Sequence, residues 1–417
     1  MPYVKAVFLG AVLAMGQLGA ADYGINGGMG KAVKVMQYPG VGCTGTFKNP
    51  ILSQDASGAC KVDYKEHSYS GPLAPLNNQI TFHVRGPIKL FNFAAYYPSD
   101  PPPREKRDLP HHHRRSHYHE HVKRKAKKVK TEVKEELVTV TKYAGPKPTG
   151  GAQKPVKGGY SATGGSGKYF KKIASYDSAK KVCDNVTFMN NKGDPQLSGD
   201  WTKCFGNSES FMSADGKSAS AKPQCLAPDT LFGVNEEFSI WTGDKCSQDE
   251  IAYSGNACRK GWDGDNKVFV FKFTMPIDNS PGSNSNMPAV WSLNSLIGRT
   301  LQYPAKPEWS CWSTGCGEFD IFEVLAGEGE FSNAMTSHLH SFQGSPMKGS
   351  PNAKGGGGTP DFFKRPVTGT FTGMVSYLSD GAITIQQLDE GFDFPEYLPM
   401  DTIKKGMRKA TKANVYA

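Results

Sequence analysis

Short apolar runs separated by glycine, proline, asparagine and serine dominate this chain. Residues 80–84 (ITFHV) and 88–95 (IKLFNFAA) have the aromatic and β-branched content of strands. Residues 268–273 (VFVFKF) are almost continuously apolar, as suits an inner strand covered on both faces. Residues 371–378 and 382–388 flank Ser379-Asp380-Gly381, which predicts a hairpin around an Asp-Gly turn. Helical periodicity is confined to a turn near Ser295 and the tail after Asp401. Residues 166–396 therefore predict an all-β domain, a β-sandwich in which facing sheets supply the core that neither could build alone. Residues 22–98 predict a small glycine-rich N-terminal β module. Its Tyr23-to-Gly28 stretch is a loop without the Gly-Lys-Ser/Thr of a phosphate cradle.

Charge and composition add the boundaries. Residues 1–21 carry one lysine, an apolar run at 6–18 and small residues before Asp22, the pattern of a secretory signal peptide. That run is too short for a membrane span, and no later run reaches eighteen residues. The net charge of +10 is local: residues 101–150 hold fourteen Lys/Arg against six Asp/Glu. Residues 99–165, with three consecutive prolines at 101–103, His111-His112-His113 and a Lys/Arg-rich run at 123–128, predict a disordered basic linker attracted to anionic wall material. The remainder is nearly neutral and the linker has little aromatic interleaving, so no nucleic-acid partner is expected. Residues 397–417 read as a basic tail, and the sequence is silent on oligomeric state.

Nine cysteines without a zinc-like spacing suit disulfides in an exported protein. Cys43 with Cys60, Cys246 with Cys258 and Cys311 with Cys316 are the local pairs, and the odd count leaves at least one over. Asn185-Val186-Thr187 is a glycosylation acceptor, expected at an exposed position.

The chemistry concentrates in Glu318-Phe319-Asp320-Ile321-Phe322-Glu323. Strand alternation puts Glu318 and Asp320 on one face and Phe319 and Ile321 on the other. Glu323 has the wrong parity unless a β-bulge near Ile321-Phe322 returns it to the face of Glu318. Two glutamates with an aspartate between them suit retaining glycoside hydrolysis, which needs a nucleophile and an acid/base about 5–5.5 Å apart. A structural calcium ion is the competing reading, although carboxylates alone do not complete its shell. No other metal and no cofactor is expected.

The hexad resembles the E-x-D-x-x-E signature of family 16 glycoside hydrolases, and Met287-Pro288-Ala289-Val290-Trp291-Ser292-Leu293-Asn294 resembles the segment that precedes it there. Phe273-Thr274-Met275-Pro276, Arg299-Thr300-Leu301-Gln302-Tyr303 and the run from Cys311 to Gly317 are similar to fungal glycine-rich cell-wall proteins with a laminarinase-like hydrolase domain. The resemblance implies a concanavalin-like jelly roll, with Glu318 as nucleophile, Asp320 as assisting carboxylate and Glu323 as acid/base. It implies a secreted endo-β-1,3-glucanase of the fungal cell wall, with cell-wall β-1,3-glucan as its partner. A transglycosylase using the same carboxylates and a non-catalytic wall-binding glycoprotein are the alternatives. Trp309 and Trp312, in a Pro/Ser/Gly/Cys-rich loop, are candidate sugar platforms near the cleft rim. Trp291 is a further substrate-binding candidate, and the resemblance adds His338 and His340 as subsite ligands.

Overall fold

The computed structural model describes residues 29–54, 60–102, 167–192, 210–247, 257–299, 309–340 and 356–416. The signal peptide, nearly all of the basic linker and Cys204 lie outside them. The chain divides into two compact units, residues 1–101 with 160–417, and residues 102–159; the second falls outside the described residues save Pro102.

The described strands, in chain order, are β1 (Val35–Tyr38), β2 (Gly45–Gln54), β3 (Cys60–Tyr69), β4 (Ile80–Arg85), β5 (Lys89–Ser99), β6 (Tyr169–Asp177), β7 (Val182–Asp184), β8 (Val186–Asn190), β9 (Ser210–Phe211), β10 (Glu237–Thr242) and β11 (Lys267–Thr274). They continue with β12 (Ala289–Asn294), β13 (Glu318–Glu323), β14 (Ala334–His340), β15 (Gly356–Gly358), β16 (Phe363–Lys364), β17 (Phe371–Leu378), β18 (Ala382–Gln387), β19 (Tyr397–Pro399), β20 (Thr411–Lys412) and β21 (Asn414–Tyr416). Two short helices, α1 (Ser295–Gly298) and α2 (Met400–Lys404), fall where helical periodicity was expected. None of the described helices is long and apolar enough to cross a membrane.

The fold is predominantly β, in mixed multi-stranded sheets. One sheet runs β19-β6-β5-β11-β17-β18-β1-β20, with β7 beside β6; another runs β21-β15-β14-β13-β12-β4-β10-β8-β9, with β16 beside β14; β2 and β3 form a separate hairpin. β11 shows why its sequence is nearly all apolar. Phe269, Phe271 and Phe273 enter the main core, while Val268 and Val270 pack in a second cluster with Leu398 and Ile403. The main core joins the two large sheets: Phe82 of β4 meets Phe269 of β11 with ring centroids 4.5 Å apart, and Phe322 of β13 meets Phe273 at 5.4 Å. The Asp-Gly hairpin forms as expected. Leu378 pairs with Ala382, Gly381 takes φ +84°, and the Asp380 carboxylate accepts from the Ala382 amide.

The N-terminal segment supplies inner strands to both large sheets. β4 lies between β12 and β10, and β5 between β6 and β11. The tail likewise joins them, β20 pairing parallel with β1 and β21 antiparallel with β15. Cys246–Cys258 and Cys311–Cys316 are disulfides as expected, and Cys183–Cys225 is a third, 42 residues apart. The Cys60 side chain lies outside the described residues, while Cys43 Sγ is 4.0 Å from the Tyr69 hydroxyl. Asn185 is half-buried: its Nδ2 donates to the Ile173 carbonyl at 3.1 Å and its Oδ1 accepts from the Gly243 amide at 2.9 Å. The nitrogen that would carry a glycan is thus tied to the backbone rather than projecting into solvent.

Candidate active site

Register alone assembles the site. On β4, Ile80, Phe82 and Val84 turn into the core, so alternation sends Thr81, His83 and Arg85 to the opposite face. Pairing across β4, β12, β13 and β14 then sets three rows on that face. Arg85, Ala289, Glu323 and Thr336 form one; His83, Trp291, Asp320 and His338 the next; Thr81, Leu293, Glu318 and His340 the third.

The rows stay aligned because β13 carries an extra residue. Its register shifts between Asp320 and Glu323 against β14, and the facing shift on β12 falls between Val290 and Trp291. Ile321 and Phe322 are both fully buried in the main core, so two consecutive side chains point inward and Glu323 returns to the face of Glu318 and Asp320. The apolar residues of the hexad fix the bulge, and the bulge gathers the carboxylates.

Glu318 and Asp320 are only 4% and 6% exposed. Burial among apolar and aromatic neighbours pushes the Glu318 carboxyl well above the usual range, and the charge of Asp320 adds to it. The indole Nε1 of Trp312, which donates to Glu318 Oε2, and nearby His340 pull the other way. Burial also raises Asp320, against the opposing pull of Arg85 and a hydrogen bond from Glu323. Glu323 is pushed up to about 7, first by burial and then by Asp320, with Arg85 and His340 opposing. The Asp320–Glu323 hydrogen bond requires a proton on one of the two carboxyls.

Around the carboxylates, His340 Nε2 lies 2.8 Å from Asp320 Oδ2, and an Arg85 guanidinium nitrogen lies 3.5 Å from Glu323 Oε1. Arg85 is held in place by donating from Nε to the Met287 carbonyl at 2.9 Å. Burial drives His83 and His338 down to about 3, with His340 adding to the shift of His338, so both stay neutral at physiological pH. Trp291 is buried between His83, 5.6 Å away between ring centroids, and the Arg85 guanidinium, 5.8 Å from its ring.

The structure thus brings Glu318, Asp320, Glu323, His338, His340, Trp291 and Trp312 together. Trp312 differs from its expected place at the rim: it is 7% exposed and packs with Phe47, Tyr69 and Trp291, which spends its polar edge on Glu318 rather than offering its face to a sugar. The Cys311–Cys316 disulfide closes the short 3-10 turn that carries it, and Gly315 at φ +93° ends that turn. Trp309 is half-buried just before the turn. Sequence reasoning missed Arg85; the alternation Thr81, His83, Arg85 within ITFHVR was its only local signal.

Ligand atoms of Asp320, Glu323 and His338 lie within 4.8 Å of one another, so this cluster can hold a cation. Two carboxylates and an imidazole are fewer than the six to eight oxygens calcium takes, so waters or substrate would have to complete its shell.

Residues 168–405 match the family described as cell wall protein YJL171C/Tos1, C-terminal, and residues 34–98 match its N-terminal counterpart. The chain is 33% identical to the probable circularly permuted 1,3-beta-glucanase TOS1 of Candida albicans, covering 90% of this chain and 91% of that one. It is 32% identical to the probable circularly permuted 1,3-beta-glucanase TOS1 of Saccharomyces cerevisiae, over 85% and 86% of the two chains. A probable circularly permuted 1,3-beta-glucanase of Arthroderma benhamiae is 30% identical over 99% of both. No solved structure matches the chain.

Proposed function

The chain belongs to the YJL171C/Tos1 family of cell wall proteins, and on that premise we propose that it is a secreted, retaining endo-β-1,3-glucanase acting on fungal cell-wall glucan. One observation carries the reading: the bulge in β13 puts Glu318, Asp320 and Glu323 on one face, with a hydrogen bond joining the last two. Glu323, whose carboxyl titrates near neutrality, holds the proton as general acid and gives it to the glycosidic oxygen. Glu318, in the ionised form that His340 and the Trp312 indole favour, attacks the anomeric carbon as that bond breaks, forming a glycosyl-enzyme. Glu323, now a carboxylate, takes a proton from the incoming water that releases the sugar with its configuration retained. Asp320, held by His340, accepts the hydrogen bond that keeps the proton on Glu323 until it is needed. In this reading His340, beside Asp320, and Trp309, just before the turn that carries Trp312, are the side chains that meet substrate.

The two large sheets are read as the halves of a concanavalin-like jelly roll, with β13 on the sheet that carries the cleft. The relatives' names describe a circular permutation. Here β4 and β5, early in the chain, sit between strands that come seventy or more residues later, an order that moving the chain's start inside a sandwich would produce. Residues 1–21 are read as the export signal and residues 99–165 as a spacer.

Incubation with linear β-1,3-glucan oligosaccharides tests the activity, with products sized and their anomers followed by proton NMR. Shorter products appearing first as the β-anomer are expected; an initial α-anomer would reject retention, and unchanged oligosaccharide would reject hydrolysis.

A second expectation concerns Trp312→Phe. The indole donor lowers the Glu318 pKa, so its loss should move the acidic limb of the kcat/KM profile to higher pH. Losing a hydrogen bond to a charged group costs about 1.5–3 kcal/mol, so the rate should fall roughly tenfold to a hundredfold. An unmoved limb would mean that Trp312 is packing alone.

A further inference from the structure

Beside the carboxylates, the β2–β3 hairpin closes one side of a cavity of about 450 Å³, within the size range of small-molecule sites. Pairing of Phe47 with His67 and Asn49 with Lys65 sets these four side chains on the hairpin face that lines it. The opposite wall comes from the end of β12 and α1, with Asn294 and Arg299. The cavity adjoins the catalytic row, because Leu293, next to Asn294, is the cross-strand partner of Glu318.

On the hairpin wall, two side-chain polar atoms have no hydrogen-bond partner among the described residues. Asn49 Oδ1 and His67 Nε2 are both buried without a hydrogen bond, and Asn49 is only 8% exposed. A buried amide oxygen with no partner carries a desolvation cost that a bound hydroxyl would remove. The imidazole is fixed by stacking on Phe47, with ring centroids 5.1 Å apart and planes 11° apart, and burial with Lys65 nearby lowers its pKa, favouring the neutral ring. The hairpin is anchored as well. Thr314 Oγ1 accepts from the Lys48 amide at 3.0 Å and donates to the Lys48 carbonyl at 3.1 Å, tying β2 to the turn that carries Trp312.

The chemistry selects a neutral polyhydroxylated ligand. Arg299 is 4% exposed, and its Nη2 donates to Gln79 Oε1 and the Arg259 carbonyl, which directs that nitrogen into the protein. Lys65 and Asp263 on the lining offset one another in charge. What remains is an amide acceptor and a neutral imidazole beside an aromatic surface, a pairing that sugars use through their hydroxyls and C–H faces. We propose that the cavity between the β2–β3 hairpin and α1 is a second carbohydrate site, distinct from the three carboxylates, which binds glucosyl units through Asn49 and His67. The identity of the sugar rests on the glucanase reading; the site itself rests on the cavity. A glucan segment held there lies beside the Glu318 end of the catalytic strand, which would keep wall polymer close between turnovers.

The test uses the full chain carrying Glu318→Gln, so that sugar is bound without being consumed. A β-1,3-linked glucotriose is titrated while histidine imidazole resonances are followed by NMR, His67 being assigned through His67→Gln. Movement of the His67 signal is expected, with a midpoint about tenfold weaker when Asn49→Ala is added. If His340 responds and His67 does not, the second site is wrong and the glucanase reading stands. A response at His67 alone supports the second site and counts against the catalytic reading. Silence at both overturns both. The His67 response is read in protein with Asn49 intact, so a poorly folded Asn49→Ala variant cannot decide the outcome.

Discussion

Glu318→Gln should leave no measurable turnover, even on an aryl glycoside whose leaving group needs no protonation. The amide can neither attack the anomeric carbon nor leave it, so no glycosyl-enzyme forms. A loss on the order of 10⁴-fold or more is expected, about 5 kcal/mol or above of transition-state stabilisation. Glu323→Ala should part company with it. With an activated leaving group the first step needs little acid, so the glycosyl-enzyme forms and then stalls for want of a base. Added azide attacks without deprotonation and should restore part of the rate, giving a β-glycosyl azide. On the proposed reading the two glutamates differ in role, and they differ in surroundings. Glu318 faces the Trp312 indole donor, whereas Glu323 faces Asp320 and Arg85. Rescue of the Glu318 variant with retained, β-configured azide product, and of the Glu323 variant only with inverted, α-configured product, would show the roles reversed.

Asp320 links the pair. It accepts from Glu323 and lies 2.8 Å from His340, and its own charge raises both glutamates. One negative charge thus biases two neighbours; Arg85 opposes the rise at Asp320 and Glu323, and His340 opposes it at Glu318 and Glu323. Neutral His83 and His338 supply hydrogen-bonding surface without adding charge.

How much of this the sequence reveals depends on how local each signal is. The bulge was legible because Ile321 and Phe322 are consecutive large apolar residues inside an otherwise alternating hexad, and only an extra inward residue reconciles them with Glu323. The β17–β18 hairpin was legible because its turn residues sit between its strands. Arg85 was not, since it meets Glu323 through a register spanning more than 230 residues, and nothing near Arg85 records that pairing. The same holds for β4 and β5, whose partners β10, β11 and β12 follow much later in the chain. The Cys183–Cys225 bridge is likewise set by folding rather than spacing. Trp312 was expected at the cleft rim from its loop, and its burial instead depends on Phe47 and Tyr69 of the distant hairpin.

The carboxylate cluster should also make the protein more stable in mild acid than at slightly alkaline pH, the reverse of the usual salt-bridged carboxylate. The folded-state pKa of Glu323 is raised to about 7 from an unfolded value of 4.5, and Glu318 and Asp320 are raised as well. Below pH 4.5 both folded and unfolded chains hold the Glu323 proton and its contribution is fully present. Between 4.5 and 7 the unfolded chain ionises while the folded site keeps its proton, so stability falls as pH rises and levels off above 7. For Glu323 alone the shift is worth about 3 kcal/mol. Thermal unfolding followed by circular dichroism, with the disulfides intact, should therefore show Tm falling between pH 5 and 8. Glu318→Gln should flatten that slope and raise Tm at pH 8 by on the order of 5 °C, because it removes one buried charge and relieves Asp320 and Glu323 of its repulsion. The variant that destroys turnover is thus expected to be the more stable protein. A Tm that rises from pH 5 to 8, or a Glu318→Gln protein less stable at pH 8, would mean that the carboxylates are held ionised in the folded state, by Arg85 or by a cation bridging Asp320, Glu323 and His338. A chelator titration at pH 8 separates the two, since only the second loses stability when the cation is removed.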